Sequence, residues 1–322
     1  MTAIAERWPR VGLGCASLGQ PDVPDSDAEA TIARAIERGI RFFDVAPLYG
    51  GGLAEVRLGR ALRRSGLDRD DYVLCTKTGV TRGFGQGPIP PGGTRRREGD
   101  TWEYSARATR ASVATSCERL GVSRLDVVHL HDAENHLDAC LEARAALDAL
   151  RGEGVVGGIG VGSNLPAPVR TLIGRAEFDA FLLAGRYTLL DQSGAPLFEL
   201  ARSKGIRVVA GGVFNSGILG AWPPTSATFD YMPAAGAMLD RVRRIAEICA
   251  RHDVPLAAAA LQFVLRHPAV TTALIGPRTV DELDRNIEAL AHPIAGVLWS
   301  DLAGAGFIGS EPLATQATAD AH

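Results

Sequence analysis

The stretch that decides the fold is residues 41–62, RFFDVAPLYGGGLAEVRLGRAL. A short apolar run, FFDV, ends on an acid, Asp44. Five residues later Tyr49 opens a glycine triplet, and LAEVRLGRAL then shows apolar positions at helical spacing. The segment therefore reads as strand, functional loop, helix. It raises the question of what an acid and a phenol are doing at the end of a buried strand.

The same unit recurs along the chain. Strands are expected at 10–14, 40–45, 72–78, 125–131, 155–164, 178–185, 206–212 and 270–276. Helical stretches at 27–39, 53–66, 105–121, 137–154, 196–205, 238–253, 255–268 and 279–290 fall between or after them, and the short interval 165–177 carries no expected helix. Alternation of this kind predicts a parallel sheet. Eight units in 322 residues match an α/β fold of the (β/α)8 TIM-barrel type. The rival, an open doubly wound sheet, would carry G-x-G-x-x-G after its first strand, and GLGCASLG at 12–19 does not have that spacing. One barrel domain is expected over 1–308, with a flexible tail at 309–322.

Composition narrows the function. The chain is 46% hydrophobic and 22% charged, with a formal net charge of -3, so no basic footprint for nucleic acid is present. No apolar run is long enough to suggest a membrane span, and the first ten residues do not read as a signal peptide. Five scattered cysteines without a C-x-x-C pair read as reduced thiols, so a cytoplasmic protein is expected.

In a parallel barrel, the C-terminal strand ends converge on one mouth. Asp44 ends the second strand, Tyr49 lies in the loop after it, Lys77 is at the end of the third strand and His131 at the end of the fourth. An ammonium beside a phenol stabilises the phenolate. Lys77 can play that part for Tyr49, Asp44 can hold Lys77, and His131 can orient a substrate oxygen. The set suits moving a proton to or from a carbonyl or alcohol oxygen. Taken singly, each of these residues has an ordinary structural reading: an ion pair for Asp44 or Lys77, packing for Tyr49. The cluster His129, His131, Asp132 and His136 also admits a metal reading, but no second acidic cluster supports it, and no metal is expected.

The stretch 41–62 resembles the signature of the aldo-keto reductases, and the likeness runs from about Arg10 to Leu302. The resemblance implies a barrel that uses NADP or NAD, and its catalytic tetrad falls on Asp44, Tyr49, Lys77 and His131. GIGVGSN (158–164) is similar to the segment that holds the nicotinamide amide, which implies Ser163 and Asn164. GVFNSGILG (212–220) resembles the loop over the pyrophosphate, implying Gly212, Phe214, Ser216 and Gly217. IGPRTVDELDRN (275–286) resembles the segment under the adenosine phosphate, implying Gly276, Arg278, Glu282 and Asn286. Two positions depart from the family: Ala184 replaces a common glutamine, and Gly211 replaces an aromatic that stacks on the nicotinamide, a place Phe214 can fill from its loop. Arg278 favours a 2′-phosphate and Glu282 opposes it, so little discrimination between the two cofactors is expected.

Finer motifs, VHLHDAE, AGRYTLLDQ, FNSGIL, ALQFVLRHPAV and VLWSDL, are similar to the branch containing D-threo-aldose 1-dehydrogenases, L-fucose dehydrogenases, L-galactose dehydrogenases and pyridoxal 4-dehydrogenase. That implies oxidation of a sugar hemiacetal to a lactone, or a related carbonyl or alcohol reaction. A carbonyl reductase of secondary metabolism and a cofactor-binding regulatory subunit are the alternatives. The substrate is expected to be a small molecule, with no nucleic acid or membrane partner. The long stretch 81–102 after the third strand is expected to act as a lid, with Phe84 or Trp102 stacking on a sugar ring and Arg186 facing the pocket.

Overall fold

A computed structural model describes residues 8–82, 100–225 and 227–309. Eight parallel strands close into a barrel: β1 (Val11–Gly14), β2 (Phe42–Asp44), β3 (Val73–Thr78), β4 (Leu125–His131), β5 (Val156–Ser163), β6 (Ala180–Ala184), β7 (Arg207–Gly211) and β8 (Val270–Ile275). Each strand pairs with its neighbours in chain order, and β1 pairs with β8 to close the ring. All eight expected strands are present, and the (β/α)8 barrel is the fold.

Alternation along the strands explains where the site lies. Side chains two residues apart point the same way from a strand. Trp8, Phe42, Val73, Cys75, Val127, Ala180, Leu182, Val209 and Leu274 form an apolar cluster of their own, separate from the larger core beneath the helices. Asp44 is two residues beyond Phe42, Lys77 two beyond Cys75, and His131 four beyond Val127. The barrel interior is therefore apolar at its N-terminal end, where the Trp8 and Phe42 rings meet edge to face at 5.0 Å. It turns polar only at the C-terminal end. Asp44 pairs with Cys75 and Lys77 with His129, so from Asp44 to Lys77 to His131 each group lies two residues further along than the partner of the one before, stepping around the C-terminal rim.

Ten helices surround the sheet among the described residues. They include α1 (Asp25–Glu37), α2 (Leu53–Ser65), α5 (Pro166–Arg175), α9 (Val280–Ala291) and α10 (Gly296–Gly304). The interval 165–177, expected to hold no helix, is α5, with proline in its first turn where the missing N–H costs nothing. The helix α10 was not expected either. The stretch expected to act as a lid, 81–102, lies outside the described residues between 83 and 99; at its two ends Val80–Arg82 pairs antiparallel with Asp100–Trp102. A second small hairpin, Thr228–Phe229 with Met232–Pro233, rises from the loop after β7. Phe84 and residues 310–322 lie outside the described residues. No single helix among the described residues is long and apolar enough to cross a membrane.

Candidate active site

The loop after β2 is shaped by its glycines. Gly50, at φ 64°, packs so closely that a Cβ there would lie 2.0 Å from the Gly19 carbonyl oxygen. Only glycine combines that conformation with that approach. The turn is thereby pressed against the β1–α1 loop, and Tyr49 is fixed over the mouth. Glu55, fully buried one turn into α2, accepts hydrogen bonds from Thr76 of β3 (2.8 Å) and Arg119 (3.1 Å). The helix after Tyr49 is thus tied to the strand that carries Lys77.

The four side chains meet. Lys77 Nζ lies 2.5 Å from Asp44 Oδ1 and 2.9 Å from the Val45 carbonyl oxygen, and both side chains are buried. The same ammonium is 4.8 Å from the centre of the Tyr49 ring, close enough to favour the phenolate. The Tyr49 and His131 rings stand perpendicular, 5.9 Å between centres. Tyr104 Oη donates to the His131 carbonyl, fixing the end of β4. Burial opposes the Lys77 charge, but Asp44 and Tyr49 together more than offset it, and its pKa is raised. Lys77 is therefore a cation at neutral pH.

Tyr49 titrates above the ordinary tyrosine range. Burial is the largest cause, Lys77 opposes it and Asp44 reinforces it. The lowering effect expected of Lys77 is present, but smaller than the desolvation it works against. His129, wholly buried below His131, is held well below the usual histidine range by burial first, then by Lys77 and His131. It is a neutral packing residue. Among the described residues no group of three or more His, Cys, Asp or Glu side chains is arranged to hold a metal ion.

The other expected positions ring the same mouth. Ser163 ends β5 and donates to Glu134 Oε1 at 2.8 Å, while accepting from the Leu165 amide at 2.9 Å. The Asn164 carbonyl accepts from Arg186 Nε at 2.8 Å. Gly212, Phe214, Ser216 and Gly217 form the turn after β7, with Gly212 at φ 61°, Ser216 at φ 61° and Gly217 at φ 94°. Gly276, Arg278, Glu282 and Asn286 follow β8 into α9, and Asn286 is half-buried. Trp102 is half-buried and stacks on His136 with ring centres 6.2 Å apart. Arg186 is engaged by the protein itself: it pairs with Asp191 (3.1 Å) and with Asp230 (2.8 Å) at the tip of the small hairpin. A cleft of about 670 Å³ between α1 and α2 lies on the outer ring and contains none of these groups.

Sequence reasoning missed several contributors. Glu134 touches Ser163, and although it closes the VHLHDAE motif, nothing in that motif marks it as a contact of Ser163. Asn215 is buried, donates from Nδ2 to the Gly185 carbonyl (3.2 Å), and leaves its Oδ1 buried without a hydrogen-bond partner. Tyr231, at the hairpin tip, lies close enough to Tyr49 to raise its pKa. Asp22, in the β1–α1 loop, pairs with Arg278.

Residues 10–302 match the aldo/keto reductase family, and the chain belongs to it. It is an NAD(P)-dependent oxidoreductase. The chain is 38% identical over 320 residues to a D-threo-aldose 1-dehydrogenase of Pseudomonas sp, covering 93% of this chain and 94% of that protein. It is 36% identical to pyridoxal 4-dehydrogenase of Microbacterium luteolum, covering 92% and 94%. It is 29% identical to L-galactose dehydrogenase of Arabidopsis thaliana, covering 88% and 84%. The holo form of an aldo-keto reductase from Bacillus halodurans superposes with a TM-score of 0.74 at 26% identity, covering 92% of each chain.

Proposed function

We propose that this enzyme oxidises the C1 hydroxyl of a sugar hemiacetal, or of a related cyclic hemiacetal, with Tyr49 as the proton-transferring group. The observation that carries the reading is the buried 2.5 Å Lys77–Asp44 pair set against the Tyr49 phenol, with the His131 ring at its edge. The relatives named for aldose, galactose and pyridoxal oxidation support the substrate class.

The mouth residues suit a dinucleotide. Gly217 has open space where a Cβ would be, and Gly276 meets only the Gly14 carbonyl oxygen, at 3.7 Å, so backbone can approach phosphate at both. The unpartnered Asn215 Oδ1 is a ready acceptor for a ligand N–H or O–H. On this reading Ser163 and Asn164 hold the carboxamide, Gly212, Phe214, Ser216 and Gly217 the pyrophosphate, and Gly276, Arg278, Glu282 and Asn286 the adenosine end. When bound, the nicotinamide takes or returns the hydride. Tyr49 accepts the hydroxyl proton during oxidation and returns it during reduction. Lys77 steadies the phenolate, Asp44 keeps Lys77 charged and in place, and His131 donates to the substrate oxygen. Because burial holds the phenol above its ordinary range, oxidation is favoured by rising pH. Trp102 offers a flat ring at the rim for the apolar face of a sugar, and Arg186 acts from behind by clamping the hairpin.

The test is a panel of aldoses and pyridoxal with NAD and NADP, run beside aldehydes and ketones with the reduced cofactors. Aldose or pyridoxal oxidation with formation of the lactone is expected to give the highest kcat/KM. Turnover confined to open-chain aldehydes or ketones would instead mark a carbonyl reductase. Cofactor binding without any turnover would mark a regulatory subunit.

A further inference from the structure

The pairing of Asp22 with Arg278 bears on which cofactor the enzyme takes. Arg278 is the cation that sequence places at the adenosine end. In the structure its Nη2 lies 2.8 Å from Asp22 Oδ2. Its backbone N–H donates to Glu282 Oε2, also at 2.8 Å. The Glu282 amide is in turn capped by Thr279 Oγ1 at 3.2 Å. One nitrogen of the guanidinium fork and two N–H donors at the start of α9 are therefore engaged by the protein's own side chains, and two of those partners are carboxylates.

Asp22 is not presented by a loose loop. The buried guanidinium of Arg57 donates to the carbonyls of Leu18 (2.6 Å), Gln20 (3.2 Å) and Val23 (2.6 Å) and pairs with Asp25 (2.8 Å), so it braces the backbone on both sides of Asp22. Ser17 Oγ reaches the carbonyls of Gly276 (3.1 Å) and Pro277 (2.9 Å), stitching the β1–α1 loop to the segment that leads into Arg278. The two loops form one surface, and Asp22 belongs to it as firmly as Arg278 does.

From this we propose that Asp22 is a specificity-determining residue that selects against a 2′-phosphate, so that the enzyme prefers NAD(H) to NADP(H). The inference rests on the placement of the adenosine end proposed above. A phosphate entering beside Arg278 has to lie against the Asp22 and Glu282 carboxylates, and like charges at that range repel. A ribose 2′-hydroxyl meets no such barrier, because it donates to a carboxylate that is already there. Arg278 and Glu282 alone oppose each other and leave little discrimination. Asp22 breaks the balance by adding a second carboxylate beside the guanidinium that would hold the phosphate.

Equilibrium titrations of NADH and NADPH, followed by cofactor fluorescence, test this on the wild type and on Asp22→Asn, Arg278→Ala and Glu282→Gln. Asparagine at 22 keeps an acceptor for the ribose and removes only the charge. The wild type is expected to bind NADH at least about tenfold more tightly, and Asp22→Asn to strengthen NADPH about fivefold to tenfold, the worth of one solvent-screened charge contact, with NADH within about twofold. Wild-type preference for NADPH would overturn the proposal. So would an NADH-to-NADPH ratio unmoved by Asp22→Asn while Arg278→Ala or Glu282→Gln shifts it. If none of the three substitutions alters either affinity, the adenosine end itself lies elsewhere, and the placement falls together with the proposal.

Discussion

Tyr49→Phe is expected to cut turnover by about 10²–10⁴-fold or more, the usual contribution of a positioned acid–base group. The substitution removes one oxygen. The ring keeps its place 4.8 Å from Lys77 Nζ and 5.9 Å from the His131 ring, so the cradle around it is unchanged. NADH affinity should stay within about twofold, because the lost group acts on the reacting proton and not on ground-state binding. Steady-state rates and a fluorescence titration on the same preparation decide the matter. Near wild-type turnover would remove Tyr49 from the chemistry. A joint loss of turnover and cofactor affinity would mean that the phenol is part of the cofactor site.

Lys77→Met is expected to do two things, and they are separable. It leaves Asp44 buried and without its cation, which costs about 3–5 kcal/mol of stability, the range for breaking a buried pair. It also withdraws the charge that steadies the phenolate, so the rate of oxidation falls and the basic limb of its pH profile moves upward. The double variant Asp44→Asn, Lys77→Met tells the two apart. It removes both charges, so denaturant unfolding should show much of the stability restored. Activity should not return with it. Recovery of activity in the double variant would show that the lysine serves only to neutralise the aspartate.

The residues that were legible in the sequence are those whose signal is local. Phe42 and Asp44, Cys75 and Lys77, Val127 and His131 are separated by even numbers of residues in short strands, so one face of each could be read directly, and that face is the barrel interior. Strand order then brought the four chemical groups to one mouth. The helix α5 was not legible because prolines at 166 and 168 mask a short amphipathic segment, although its first turn accepts them. The hairpin tip was hidden for a related reason. Asp230 and Tyr231 adopt positive φ values of 50° and 65° without the glycine that usually announces such a turn.

Contacts that span the chain carry no sequence signal at all. Asp22 and Arg278 are 256 residues apart, and nothing in PDVPD suggests that its first acid reaches the segment leading into α9. Arg186 reads as a pocket-facing cation from its position after β6, yet its fork is spent on Asp191 and Asp230. The sign of the Tyr49 shift is the subtler case. Sequence identifies Lys77 as a neighbour that lowers the phenol's pKa. The competing desolvation depends on how completely Tyr49 is enclosed, which only the folded loop determines.

The most direct measurement is a titration of the phenol itself. Protein carrying ¹³Cζ-labelled tyrosine, with the Tyr49 signal assigned by its absence in Tyr49→Phe, can be followed by NMR through the alkaline range in the wild type and in Lys77→Met, or in the Asp44→Asn, Lys77→Met double variant if the single one is too unstable. Tyr49 is expected to titrate above the ordinary tyrosine value of about 10 in the wild type. It should move higher still once Lys77 is gone, because Lys77 opposes the burial. A Tyr49 signal that titrates at the same pH with and without Lys77 would contradict the coupling on which the proposed proton transfer depends.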